Sequence, residues 1–100
     1  GLTFPLADAM TSIHAAELMI RNAACLADAE RPFRLETCMA KLFATEMASE
    51  VADIALQVHG GYGAFEEYDV SSLPGEARVL RILEGTSEVQ RLVIARELTA

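Results

Sequence analysis

Tryptophan is absent from this sequence, proline occurs three times and cysteine twice. Cys25 and Cys38 are too few for a disulfide framework, and neither has His or Cys neighbours at metal-ligand spacing. Both read as small buried apolar residues. Basic residues are scarce: eight Lys and Arg stand against fifteen Asp and Glu, for a net charge of −7 and a pI near 4.7. A surface of that sign repels phosphate backbones, and no basic run offers itself to anionic lipid. Nucleic acid and membrane insertion are therefore excluded from the expected partners. No apolar stretch reaches the roughly 18–20 residues that cross a bilayer. The first residues lack a basic segment followed by an apolar one, so no signal peptide is expected. The six glycines gather mostly between positions 60 and 85, and Val and Ile are sparse in the first half.

What remains is apolar and helix-forming. Of 100 residues, 52% are apolar, with alanine abundant; the balance favours helix over strand, within one small domain at most. From Leu6 to about Ala29 no Pro or Gly interrupts. Asp8, Thr11, His14, Arg21 and Asp28 recur at helical spacing as one solvated stripe, and the rest of this first helix is apolar almost all round. So wide an apolar surface needs partners on more than one side. Arg31-Pro32 closes it. A second helix is expected from about Arg34 to His59. Leu35, Met39, Leu42, Phe43, Met47, Val51, Ile54, Ala55 and Val58 form its apolar face, and Lys41, Glu46, Ser49, Glu50 and Asp53 lie on the other. Gly60-Gly61 stops it, glycine being favoured in the left-handed conformation of helix ends. Positions 62–83 read as irregular, with a short helix near Val70–Leu73. A last helix follows from about Ser87 to Leu98, with Ser87 and Gln90 at capping-box spacing. The expected architecture is all-α, an antiparallel helical bundle with a functional loop of about twenty residues.

Two segments carry candidate chemistry. Glu84-Gly85-Thr86-Ser87-Glu88 lies at a helix N-terminus, where free N–H groups and the helix dipole favour anions and where Gly85 permits close approach to the backbone. Taken alone, it is equally an ordinary helix start. Gln57-Val58-His59-Gly60-Gly61-Tyr62-Gly63 could present N–H groups to a pyrophosphate, but it follows a helix rather than a strand, so it is not the dinucleotide fingerprint. Taken alone, it is equally a glycine stop. His14 and His59 have no companions that would make a metal site.

Together the two segments resemble the C-terminal signature of the acyl-CoA dehydrogenases, a family of flavin-dependent enzymes. The resemblance rests on Gln57 to Gly63, Glu67-Tyr68, Ala77-Arg78 and Glu84 to Arg91 in that order and spacing. It runs back through Met39 to Glu46 and Val51-Ala52, forward through Leu92 to Glu97, and more loosely into the first helix. It implies FAD as cofactor and an acyl-CoA thioester as substrate, oxidised to a trans-2-enoyl-CoA. Glu84 would be the base that removes the α-proton while a hydride leaves the β-carbon for the flavin. Burial would raise its pKa, and its own backbone N–H would help to stabilise the developing enolate. Gly85 would lie against substrate, and Thr86, Ser87, Glu88 and Val89 would line the FAD. Gln57, Val58, His59, Gly60 and Gly61 would contact the ADP part of an FAD bound mainly by a neighbouring subunit. That implies a homodimer or homotetramer, with electron-transfer flavoprotein as the electron acceptor.

The same resemblance makes residues 1–100 a partial C-terminal helical domain. The N-terminal helical and middle β domains would be missing, so the 100 residues alone are expected neither to bind FAD tightly nor to turn over acyl-CoA. The bacterial cytoplasm is favoured as the location, with the mitochondrial matrix as the other choice. Three places depart from the family pattern: Gly75-Glu76-Ala77-Arg78 stands where Arg-Asp-Ala-Arg is usual, Asp69 where proline is common, and Ala64 where an aromatic residue is common. Gly75 in place of the usual arginine supports the alternative of a non-catalytic helical assembly module or acyl-CoA-binding relative, and Glu84 does not separate a dehydrogenase from a flavin oxidase on the same scaffold.

Overall fold

The structure is a computed structural model, and it describes residues 3–60, 69–83 and 85–99. Among these there are four α-helices and no strand: α1 (Thr3–Asp28), α2 (Arg34–Val58), α3 (Leu73–Leu80), entered through a 3-10 turn at Asp69–Ser72, and α4 (Ser87–Thr99). The all-α expectation holds. α2 is the hub, with α1, α3 and α4 each packed on it.

α1 begins at Thr3, three residues before the uninterrupted run that opens at Leu6. Pro5 falls in its first turn, where a missing N–H costs nothing. It ends by its own geometry before Pro32 is reached. Glu30 adopts a left-handed φ of 55°. Its N–H bonds the Ala27 carbonyl at 3.0 Å, and the Arg31 N–H bonds that of Leu26 at 2.9 Å. This is the Schellman arrangement, built here without glycine. An L-residue in that conformation carries a penalty of roughly 1–2 kcal/mol, so Glu30→Gly should stabilise this turn by about 0.5–1 kcal/mol. The check is hydrogen exchange at the Arg31 amide, expected to slow about two- to fivefold.

The most deeply buried apolar residues of the described helices are all small. Ala9, Ala16 and Ala23 of α1 are buried at seven-residue spacing, and they are joined by Ala40 and Ala52 of α2 and Ala77 of α3. No large side chain is fully buried among the described residues. The polar stripe of α1 faces solvent as its spacing predicts, but Leu18 and Ile20 are also 52% and 51% exposed. Cys25 is exposed and Cys38 half-buried, so the expectation of two buried cysteines is not met within these residues. Cys25 lies on the part of α1 turned away from the alanine seam and is exposed.

The largest departure from the sequence reading is α3. Its Pro74 and Gly75 look like breakers, yet proline sits at the second position of the helix, where it is tolerated. Val79 and Leu80 end this helix, and Ile82 and Leu83 lie in the turns after it; all four are exposed.

Candidate functional site

The start of α4 is fastened to the middle of α2. Thr86 is its cap: the Thr86 hydroxyl accepts the Val89 N–H at 3.2 Å and the Thr86 carbonyl accepts the Gln90 N–H at 3.0 Å. The capping pair is thus displaced by one residue from the expected Ser87 and Gln90. Ser87 is instead the first helical residue, and it is buried at 4% exposure with its hydroxyl donating to Glu46 Oε1 at 2.6 Å. The same oxygen receives Arg81 Nε at 3.1 Å. The Ser87 N–H bonds the Arg81 carbonyl at 3.2 Å, tying the two ends of segment 81–87 together. Lys41, little more than one turn before Glu46 on α2, donates its ammonium to the Gly85 carbonyl at 2.5 Å.

These contacts set the electrostatics. The Ser87 hydroxyl, followed by the Arg81 charge, holds the Glu46 carboxyl below its ordinary value of 4.5, against the opposing effect of burial. Glu46 is therefore ionised at neutral pH and remains an acceptor for both partners. Gly85 has a φ of 96°, and a Cβ there would come within 2.9 Å of Gln90 Nε2. Only glycine fits this position without displacing the Gln90 side chain. Beside it lies a cleft of about 160 Å³ lined by Arg78, Arg81, Ile82, Thr86, Ser87 and Glu88. Two guanidinium groups and a helix N-terminus make it receptive to an anion, with the Glu88 carboxylate opposing.

The other predicted segment sits elsewhere. α2 ends at Val58; Gly60 has a left-handed φ of 63°, as a helix stop requires, and the His59 ring nitrogen Nδ1 lies 2.8 Å from the Ala55 carbonyl. Gln57, His59 and Gly60 are exposed and Val58 is half-buried. Eleven to sixteen residues of α2 separate Gln57 from Glu46 and Lys41, roughly 17–24 Å along a helix axis. The structure therefore does not bring the two predicted segments to one place within this chain. Glu84 and Gly61 lie outside the described residues.

Sequence reasoning missed Lys41 and Glu46, placing both on the solvated face of α2; they are half-buried beneath the start of α4. Their partners lie 44, 35 and 41 residues away, so no local pattern points to them.

The class that fold and site define is an all-helical segment whose last helix opens on a glycine-hinged loop tied to a central helix. Residues 1–99 match the family model described as acyl-CoA dehydrogenase, C-terminal domain, and the chain belongs to that family. It is 48% identical over 98 residues to "Probable acyl-CoA dehydrogenase YngJ" of Bacillus subtilis, covering 98% of this chain and 26% of that protein. It is 46% identical over 100 residues to the mitochondrial isobutyryl-CoA dehydrogenase of Dictyostelium discoideum, covering 99% and 24%. The structure superposes on butyryl-CoA dehydrogenase from Megasphaera elsdenii with a TM-score of 0.95 at 38% identity, over 98% of this chain and 26% of that one. The chain thus spans about a quarter of the length of the relatives it matches.

Proposed function

We propose that this chain is the base-bearing C-terminal part of an FAD-dependent acyl-CoA dehydrogenase. The observation that carries the reading is the run Glu84-Gly85-Thr86, immediately before α4 in sequence, in a chain whose residues 1–99 match the family's C-terminal domain. Glu84 takes the α-proton of an acyl-CoA thioester. FAD, when bound, supplies the acceptor for the hydride that leaves the β-carbon, so the two-electron oxidation balances as the double bond forms. The remaining residues bind and orient. Gly85, lacking a side chain, allows the thioester to approach the backbone. Thr86 to Val89 offer the flavin a helix N-terminus. The Ser87 proton is already given to Glu46, so Ser87 supports that end of the helix from behind.

The fit to FAD is partial and of the right chemistry. A cleft of about 160 Å³ with Arg78 and Arg81 suits one polar portion of the cofactor. It is smaller than the roughly 300–1,000 Å³ of a site that engulfs a drug-sized ligand, so this chain furnishes one wall. Gln57 to Gly61 serve the ADP part of an FAD held mainly by another subunit. The roughly 17–24 Å between them and the start of α4 supports two separate contributions. A homodimer or homotetramer accords with that division of labour, and electron-transfer flavoprotein as acceptor is carried over from the family, a relative 43% identical over 95 residues being subunit CarC of the caffeyl-CoA reductase-Etf complex of Acetobacterium woodii.

The test uses the full-length flavoprotein that carries this segment, mixed anaerobically with straight and branched acyl-CoA thioesters. Flavin bleaching by at least one of them, with reoxidation fast by electron-transfer flavoprotein and slow by oxygen, is the expected result. No bleaching across the panel would refute the assignment; fast reoxidation by oxygen would make the enzyme an oxidase. A second reading has its own observation: a relative 43% identical over 97 residues is an acryloyl-CoA reductase (NADH) of Anaerotignum propionicum. A group that takes the α-proton in one direction returns it in the other, so the same residues serve enoyl-CoA reduction. Reoxidation of the reduced enzyme by enoyl-CoA, seen as the return of the yellow flavin absorbance, with no bleaching of the oxidised enzyme by acyl-CoA, would favour it.

A further inference from the structure

Segment 81–87 is held to α2 by polar contacts that the catalytic reading does not use. We infer that Lys41 and Glu46 are positioning residues for proton abstraction: from the central helix they fix Arg81, Gly85 and Ser87, the residues that flank Glu84 in sequence. The inference rests on the reading of Glu84 as the base.

Three observations carry it. First, the residue next to the base is a glycine, with the widest choice of φ and ψ of any residue. That freedom lets substrate come close but makes the chain soft where a carboxylate must be aimed. Lys41 removes the softness by holding the Gly85 carbonyl, which fixes ψ at the glycine. Second, no ion pair of Lys41 with a carboxylate is found among the described residues. Here the ammonium is spent on a backbone carbonyl, a contact that orients a peptide plane. Third, Glu46 collects Arg81 and Ser87 on a single oxygen, while the Ser87 N–H returns to the Arg81 carbonyl. The two ends of the segment are thereby fixed to one point of α2, and Lys41 fixes it between them. The most deeply buried apolar residues among the described ones are alanines, and the contacts that give segment 81–87 a defined direction are the polar ties.

A role limited to holding α4 in place predicts something different. Removing the ties would then lower thermal stability and leave the chemical step of the folded, flavin-loaded enzyme untouched. The positioning role predicts a slower chemical step with substrate affinity preserved, because a displacement of about 1 Å at the reacting centre can cost about 10²-fold.

The experiment measures the rate constant for flavin reduction by saturating acyl-CoA in the full-length enzyme, normalised to bound flavin. Lys41→Met, which keeps side-chain length but loses the donor, is expected to slow reduction about 10- to 100-fold with KM changed less than about threefold. Substrate deuterated at the α-carbon should then show a larger isotope effect than with wild type. Lys41→Arg, which can still reach the carbonyl, should recover most of the rate. A Lys41→Met enzyme that reduces its flavin within about twofold of wild type would overturn the proposal. Should Lys41→Met fail to load flavin, Glu46→Met decides by the same criterion, since it keeps the length of the side chain and removes the oxygen that receives Ser87 and Arg81. Glu84→Gln measured alongside separates the two claims. An unimpaired Glu84→Gln overturns the base assignment and the clamp's purpose with it. An inactive Glu84→Gln beside an unimpaired Lys41→Met overturns the clamp alone.

Discussion

Glu84→Gln in the full-length flavoprotein is expected to lower turnover on acyl-CoA by about 10³-fold or more while leaving FAD bound. Glutamine has nearly the same shape, so packing and flavin contacts persist, but an amide cannot take up a proton at neutral pH. A positioned general base contributes typically about 10² to 10⁴ in rate. An α-proton of a thioester sits at the demanding end of that range, because it is only weakly acidic. The loss should fall on kcat and on kcat/KM together, since the interaction removed is made in the transition state and not in the bound ground state. Glu84→Asp should retain more, because it keeps the carboxylate and withdraws it by one methylene; about 10²-fold is expected for a displacement near 1 Å. Turnover of Glu84→Gln close to wild type would place the base on another residue and remove the main support for the catalytic reading.

How much of this was legible in the sequence differs by element, for physical reasons. α1 and α2 are long, uninterrupted and periodic, and their ends fall within three residues of the positions that breakers and periodicity suggest. α3 was not legible. Eight residues give barely two turns, too few for a period to show, and Pro74-Gly75 speaks for a turn unless the proline is known to fall in a first helical turn. The cap of α4 was misplaced by one residue because Thr86 and Ser87 are equally able to cap. The tertiary demand decides: Glu46 takes the Ser87 hydroxyl, and Thr86 is left to the helix. Lys41 and Glu46 were invisible as site residues because charge on a helix reads as solvent exposure, and only the arrival of a distant segment converts it into a tie. The candidate base itself was named through a resemblance of motifs, which composition and periodicity alone could not supply. The reading of the apolar faces was right in kind: α1 does bear more apolar surface than α2 can cover.

That surplus leads to the second large effect. The 100 residues, prepared alone, are expected to associate in solution as a dimer or larger particle and to carry no stoichiometric FAD. The chain exposes 7183 Å², whereas a compact protein of 10.8 kDa should expose about 5,500 Å². The excess is on the order of 1,600 Å², comparable to the total area buried in a standard protein–protein interface. Its radius of gyration is 15.8 Å, against about 13 Å for a globular chain of this length. The exposed surface is also apolar where it matters: Phe4, Met10, Leu18, Ile20, Ile82 and Leu83 are all uncovered, while the buried set consists of alanines and two polar residues. Alanine burial provides little hydrophobic stabilisation per residue, since free energy follows apolar area. The segment must therefore cover its larger side chains with other protein, supplied by another copy when nothing else is present. Light scattering over a concentration series should give a mass of at least two chains, and Leu18→Glu with Ile20→Glu should lower it by placing a charge on each of two uncovered sides of α1. A monodisperse monomer that unfolds cooperatively would contradict the argument, because it would mean that a core of small residues suffices to hold these helices together.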